Sequence, residues 1–191
     1  MARKKRVVRY LRLAMESKRL VAVSRRPKFS GTNRGFVVGI GAKWMVLRLI
    51  DEAGAFDGYN AFRVRDIIKL KPDKTFAVRA AAELPHWPPA PPVDPIDLDT
   101  TRGLLKSFGS ASESSLIGIE KERERYAQWI GVFDEIIGKY VYLHEVHPNG
   151  KWHRQPLGYR IRSITSVAMG GLYRNALARY VDWDAKPLPP S

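Results

Sequence analysis

The chain has 191 residues, 33 Lys and Arg against 19 Asp and Glu, a net charge of +14, and 45% hydrophobic residues. That apolar share supports a packed core and argues against wholesale disorder. The absence of cysteine excludes disulfides, thiolate metal centres and cysteine nucleophiles, and no apolar run approaches the ~20 residues of a membrane span.

The N-terminus is strongly basic, and no apolar stretch or cleavage site follows, so a signal peptide is not expected. A soluble, cytoplasmic protein is. Residues 1–92 hold 20 Lys and Arg against 7 acids, whereas residues 93–191 hold 13 against 12. The charge therefore belongs to one end of the chain. Such asymmetry points to nucleic acid or another acidic surface; a solvated basic arm is the plainer alternative.

The first predicted element is a helix over Lys5–Ser17, with Val8, Leu11 and Met15 at helical spacing. A short apolar strand, Leu20–Ser24, follows. Two longer strands meet at a tight turn, Gly41-Ala42, and a polar turn, Asp51–Gly54, leads to a fourth, alternating strand. A fifth, Ile67–Leu70, comes at once. Leu84–Thr100 carries six of the thirteen prolines. Proline lacks the amide proton and fixes φ, so this stretch reads as an extended linker. Three segments result: a first barrel with its basic helix (1–83), the linker (84–100), and a second barrel with a terminal helix (101–185).

The second segment repeats the first. A shift of 96 aligns Leu20, Gly35, Ile40, Lys43 and Leu47 with Leu116, Gly131, Ile136, Lys139 and Leu143. A shift of 97 then aligns Phe62-Arg63-Val64-Arg65-Asp66-Ile67 with Tyr159-Arg160-Ile161-Arg162-Ser163-Ile164. In this half a helix is expected at Thr100–Ser107, capped by Asp99, then strands from Leu116–Glu120 to Ile164–Val167. Leu172, Tyr173, Ala176, Leu177 and Tyr180 predict a closing helix packed on the barrel. Short strands with few residues for crossovers argue for antiparallel, strongly bent small barrels.

The glycine-led strand Gly35-Phe36-Val37-Val38-Gly39-Ile40, the apolar strand Trp44-Met45-Val46-Leu47 and the step Phe62-Arg63-Val64-Arg65-Asp66-Ile67, with their counterparts in the second half, resemble the Sm-like fold in two copies. The fold class implied is mainly β: two tandem five-stranded antiparallel Sm-like barrels with short flanking helices. The resemblance also implies RNA binding. Lys43–Leu47 followed by Phe62–Ile67 is similar, alternatively, to the WYL ligand-sensing module.

Candidate site residues are the basic ones. Arg3, Lys4, Lys5, Arg6, Arg9, Arg12, Arg25, Arg26 and Lys28 would supply phosphate contacts from the N-terminal segment. In a strand, Arg63 and Arg65 share a face, with Val64 opposite; Arg160 and Arg162 repeat this. Guanidinium pairs bidentately with anionic oxygens, although a solvated sheet face explains the same pattern. Lys43 and Lys139 sit at equivalent turns. Trp44, Trp129, Tyr140 and Tyr142 are core residues or stacking platforms for bases. His144, His147 and His153 have loose metal-ligand spacing, but strand positions three apart face opposite ways. The run Glu120–Arg125 alternates in sign and reads as a solvated helix or loop. No constellation for catalysis and no cofactor motif stands out. The expected function is non-catalytic nucleic-acid binding, RNA ahead of DNA. The alternatives are a protein-interaction module or a small-ligand sensor of a bacterial regulatory system.

Overall fold

The computed structural model describes residues 2–27, 31–111, 116–124 and 128–187. The first half runs α1 (Ala2–Glu16), β1 (Leu20–Arg25), β2 (Thr32–Ile40), β3 (Trp44–Ile50), β4 (Phe56–Arg63), a 3-10 turn (Val64–Asp66), β5 (Ile67–Pro72) and α2 (Ala77–Ala82). The second half repeats the order: α3 (Thr101–Gly109), β6 (Ile117–Lys121), β7 (Trp129–Ile137), β8 (Tyr140–Glu145), β9 (Leu157–Arg160), a 3-10 turn (Ile161–Ser163), β10 (Ile164–Met169) and α4 (Leu172–Tyr180).

A mainly β chain with short flanking helices is what the patterning predicted. The strands, however, join in one ten-stranded antiparallel sheet that does not close, ordered β5-β1-β2-β3-β4-β10-β6-β7-β8-β9. Numbered within its own half, each set runs five-one-two-three-four. Strand four of the first half meets strand five of the second, with Phe62 opposite Ser166 and Tyr59 opposite Met169.

The repeated glycines have a shared cause. A Cβ on Gly35 would lie 2.4 Å from the carbonyl oxygen of Arg48, and one on Gly131 would lie 2.3 Å from that of His144. Arg48 and His144 are themselves equivalent positions on strand three. Strand two crosses strand three too closely there for any side chain, in both halves.

Continuous apolar runs mark strands covered on both faces. In β3, Trp44 and Val46 enter one core cluster, while Met45 and Leu47 enter another beneath α1, with Leu11 and Ala14. In β8, Val141 and Leu143 occupy the Met45 and Leu47 positions and share a cluster with Leu104, Leu105 and Phe108 of α3. The helix that leads each half thus shares a core cluster with equivalent residues of its strand three. The largest cluster draws on both halves, from Leu20 and Phe36 to Ile164 and Val167.

Two local expectations change. Thr100, not Asp99, caps α3, its hydroxyl accepting from the Gly103 amide at 2.9 Å. Asp99 instead accepts from the Ala42 amide. Leu177 of α4 and Val181 just beyond it pack with Leu116 and Val146, whereas Leu172, Tyr173 and Tyr180 are exposed. The proline-rich segment forms neither helix nor strand over most of its length, as its composition requires, yet it is docked. Trp87 stands edge-on to Phe36 at 5.4 Å. The Leu98 carbonyl accepts from the amides of Lys43 (3.2 Å) and Trp44 (2.9 Å).

A cationic cleft between the two halves

The repeat brings four equivalent corners together: the β2–β3 and β7–β8 turns, and the 3-10 turns that follow β4 and β9. They enclose a cavity of about 750 Å³, with Trp44 and Tyr140 in its wall. From the first half, Lys43, Arg63 and Arg65 line it. Lys139, Arg160 and Arg162 line it from the second half, and Arg102 at the start of α3 completes the set. Among the described residues, no acidic side chain lines the cavity. The first turn of α3 also opens on it, and the partial positive charge of a helix N-terminus has the same sign.

The seven cations are not equivalent. Arg63 is buried and compensated. It donates to Asp66 and to Glu122 at 2.7 Å, and to the backbone carbonyl of Arg162 at 3.1 Å. It therefore ties the first half to the turn that carries Arg162. Arg65 is two-thirds exposed and only loosely near Asp66 (3.7 Å) and Glu122 (3.9 Å). The expectation that Arg63 and Arg65 share a strand face is corrected. The strand ends at Arg63, and in the 3-10 turn Val64 enters the core while Arg65 faces solvent. The same turn, Ile161–Ser163, leaves both Arg160 and Arg162 exposed. Among the described residues, Lys43, Arg102, Lys139, Arg160 and Arg162 have no carboxylate within salt-bridge distance.

The N-terminal bases divide. Lys5, Arg6, Arg9 and Arg12 are exposed on α1. The helix packs through Leu11 and Ala14 beside Val64, so it abuts the turn that presents Arg65. Arg3 and Lys4 belong to the start of α1, with side chains outside the described part, and Lys28 lies outside the described residues. Arg26 is exposed and lines a shallower groove with Arg65. Arg25 is a correction. Its side chain is fully buried, pairs with Glu120 and lies 4.5 Å over the Phe62 ring. A cation so enclosed serves packing, not phosphate contact.

The aromatics divide as well. Trp44 is enclosed, its indole N–H donating to Thr101 Oγ1 at 3.3 Å. Tyr140, for which core packing was the plainer expectation, is exposed at the cavity wall, its hydroxyl accepting from Arg160 Nε at 3.2 Å. Trp129 packs on Tyr159 at 5.8 Å, and the Lys121 ammonium lies 4.0 Å from the Trp129 ring centroid. Of the histidines, His144 is buried, bonded through Nε2 to the His153 carbonyl (2.8 Å). The rings of His147 and His153 lie 5.8 Å apart, tilted by 34°. No cluster of three or more metal-ligating side chains occurs among the described residues. Nor, among them, is any helix long and apolar enough to cross a membrane.

Sequence reasoning found Arg63, Arg65, Arg160, Arg162, Lys43 and Lys139, because the repeat exposed them. It missed Arg102, which lies in the leading helix, ahead of the aligned stretch. Comparison with protein-family models, with curated proteins and with solved structures finds no match for this chain.

Proposed function

We propose that the chain is a non-catalytic nucleic-acid-binding protein, RNA ahead of DNA, that holds phosphates in the cleft between its two halves. One observation carries this reading. Six exposed basic side chains, Lys43, Arg65, Arg102, Lys139, Arg160 and Arg162, converge from both halves on a cavity that no carboxylate of the described residues lines. Like charges gathered this way repel one another and weaken the fold unless an anion neutralises them. Guanidinium groups match phosphate oxygens in geometry, and low-acidity surroundings leave that pairing uncontested. The exposed bases of α1 extend the positive surface from the Arg65 turn. RNA stands ahead because a concave site admits unstacked bases, which RNA loops and single strands offer.

A Sm-like reading of each half belongs to the same proposal. It is supported by a leading helix and five strands in the same order twice, with the paired glycines Gly35 and Gly131 at the same crossing. An experimental structure with either half flat instead of bent into a barrel would overturn it.

The test is an electrophoretic shift with single-stranded RNA at two salt concentrations. With six phosphate contacts on a single strand, affinity falls about 300-fold between roughly 50 and 200 mM salt. Arg65→Ala lowers the slope of log affinity against log salt by about 0.7. No shift at the lower salt overturns the proposal. A second reading, a small polyanionic ligand, has one observation in its favour: the cavity volume of about 750 Å³ lies within the ~300–1,000 Å³ of ligand pockets. Saturation by inorganic triphosphate with no RNA shift favours it.

A further inference from the structure

The two halves treat equivalent positions differently. Trp44 and Tyr140 each follow the turn between strands two and three of their half. Trp44 is sealed by the chain itself: the Leu98 carbonyl accepts from its amide, and Thr101 accepts from its indole. Leu98 also packs where side chains on Gly39 and Gly41 would stand, so that segment lies flat on the turn. Among the described residues none covers Tyr140 in this way, and it lines the cationic cavity. Its ring is held at the hydroxyl by Arg160, whose guanidinium carbon lies over the ring, 5.9 Å from its centroid, and leaves the opposite face for a base.

We infer that the cleft takes single-stranded nucleic acid, one base stacking on the Tyr140 ring while Arg65, Lys139 and Arg162 hold the flanking phosphates. This rests on the nucleic-acid reading above. The described residues offer one such seat of the pair, because the Leu98–Thr101 segment fills the equivalent place in the first half. Stacking on an aromatic ring tolerates every base, since each has a π-face. A ring already fixed by a hydrogen bond loses little freedom when a base settles on it. A duplex keeps its bases paired inside and presents only backbone to such a cavity.

The experiment measures fluorescence anisotropy with a labelled single-stranded RNA about ten nucleotides long and a duplex RNA of the same length. Tyr140→Leu keeps apolar bulk without an aromatic face. It weakens single-strand binding by roughly 5- to 150-fold, leaves the salt slope unchanged and does not alter duplex binding. Tyr140→Phe keeps the aromatic face and loses only the hydrogen bond from Arg160, so its single-strand affinity falls between wild type and Tyr140→Leu, and a trinucleotide titrates at one per chain. Circular dichroism and thermal melting confirm that both variants are folded. A folded Tyr140→Leu protein with undiminished single-strand affinity overturns the base seat while leaving the phosphate cleft standing. Absence of wild-type binding at low salt overturns both.

Discussion

Glu145 ends β8 half-buried, accepting a hydrogen bond from the Tyr159 hydroxyl. Burial raises its pKa above the ordinary 4.5, and the charges of His153 and Lys121 only partly offset this. The folded state therefore holds this proton more tightly than the unfolded chain does. Stability is greatest where the group is protonated in both states and declines as pH rises through the folded pKa. Glu145→Gln keeps an oxygen for Tyr159 and removes the charge. Relative to wild type, the variant gains stability as pH rises from 4.5 to neutrality, read as urea midpoints; a constant difference across that range would refute the assignment. Asp73 has the opposite sign. Burial alone would raise its pKa, but hydrogen bonds from Arg34 (2.6 Å) and the Thr75 amide (2.9 Å) outweigh it, and the net shift is downward. Its contribution is present above the ordinary 3.8 and is lost as pH falls through the folded value.

At the scale of elements, the joint between the halves is more than the β4–β10 ladder. Glu120 reaches from β6 to the buried Arg25 of β1, and Glu122 reaches to Arg63 at the end of β4. The alternating run that read as a solvated helix or loop is, over its described residues, a strand end and turn, and it supplies carboxylates to cations of the other half. Arg25 already has two nitrogens, Nε and Nη1, with no hydrogen-bond partner. Glu120→Ala then leaves a buried guanidinium without its carboxylate, a change that typically costs about 3–5 kcal/mol. For a chain of this size the expected fall in Tm is roughly 6–20 °C. A calorimetric shift below about 2 °C would show that the pair adds no support to the joint. The cationic cleft rests on the other pair, Arg63 with Glu122, since Arg63 also holds the carbonyl of Arg162.

For the molecule as a whole, the shared core predicts shared fate. Phe36, Trp44, Leu105, Ile119 and Val167 belong to one cluster although the proline-rich segment lies between them in sequence. Neither half retains that cluster alone. Denaturant unfolding followed by tryptophan fluorescence and by far-ultraviolet circular dichroism gives one coincident transition. Two separated transitions would mean that the halves fold independently and merely touch.

The amino-acid sequence by itself determined the strands, the duplication and most of the basic corners. Those are local properties: the strand period, turn chemistry at Gly41 and Gly138, and identical residues at a constant shift all lie within a few neighbours. Tertiary structure alone decided which cations remain free. Arg25 and Arg65 read alike along the chain, yet one is sealed by Glu120 and Phe62 and the other faces solvent. It also decided that Trp44 is covered and its counterpart Tyr140 open, because the segment that seals Trp44 lies more than fifty residues further on. Burial and charge compensation depend on partners distant in sequence, and no local pattern encodes which of two equivalent positions the rest of the chain will cover.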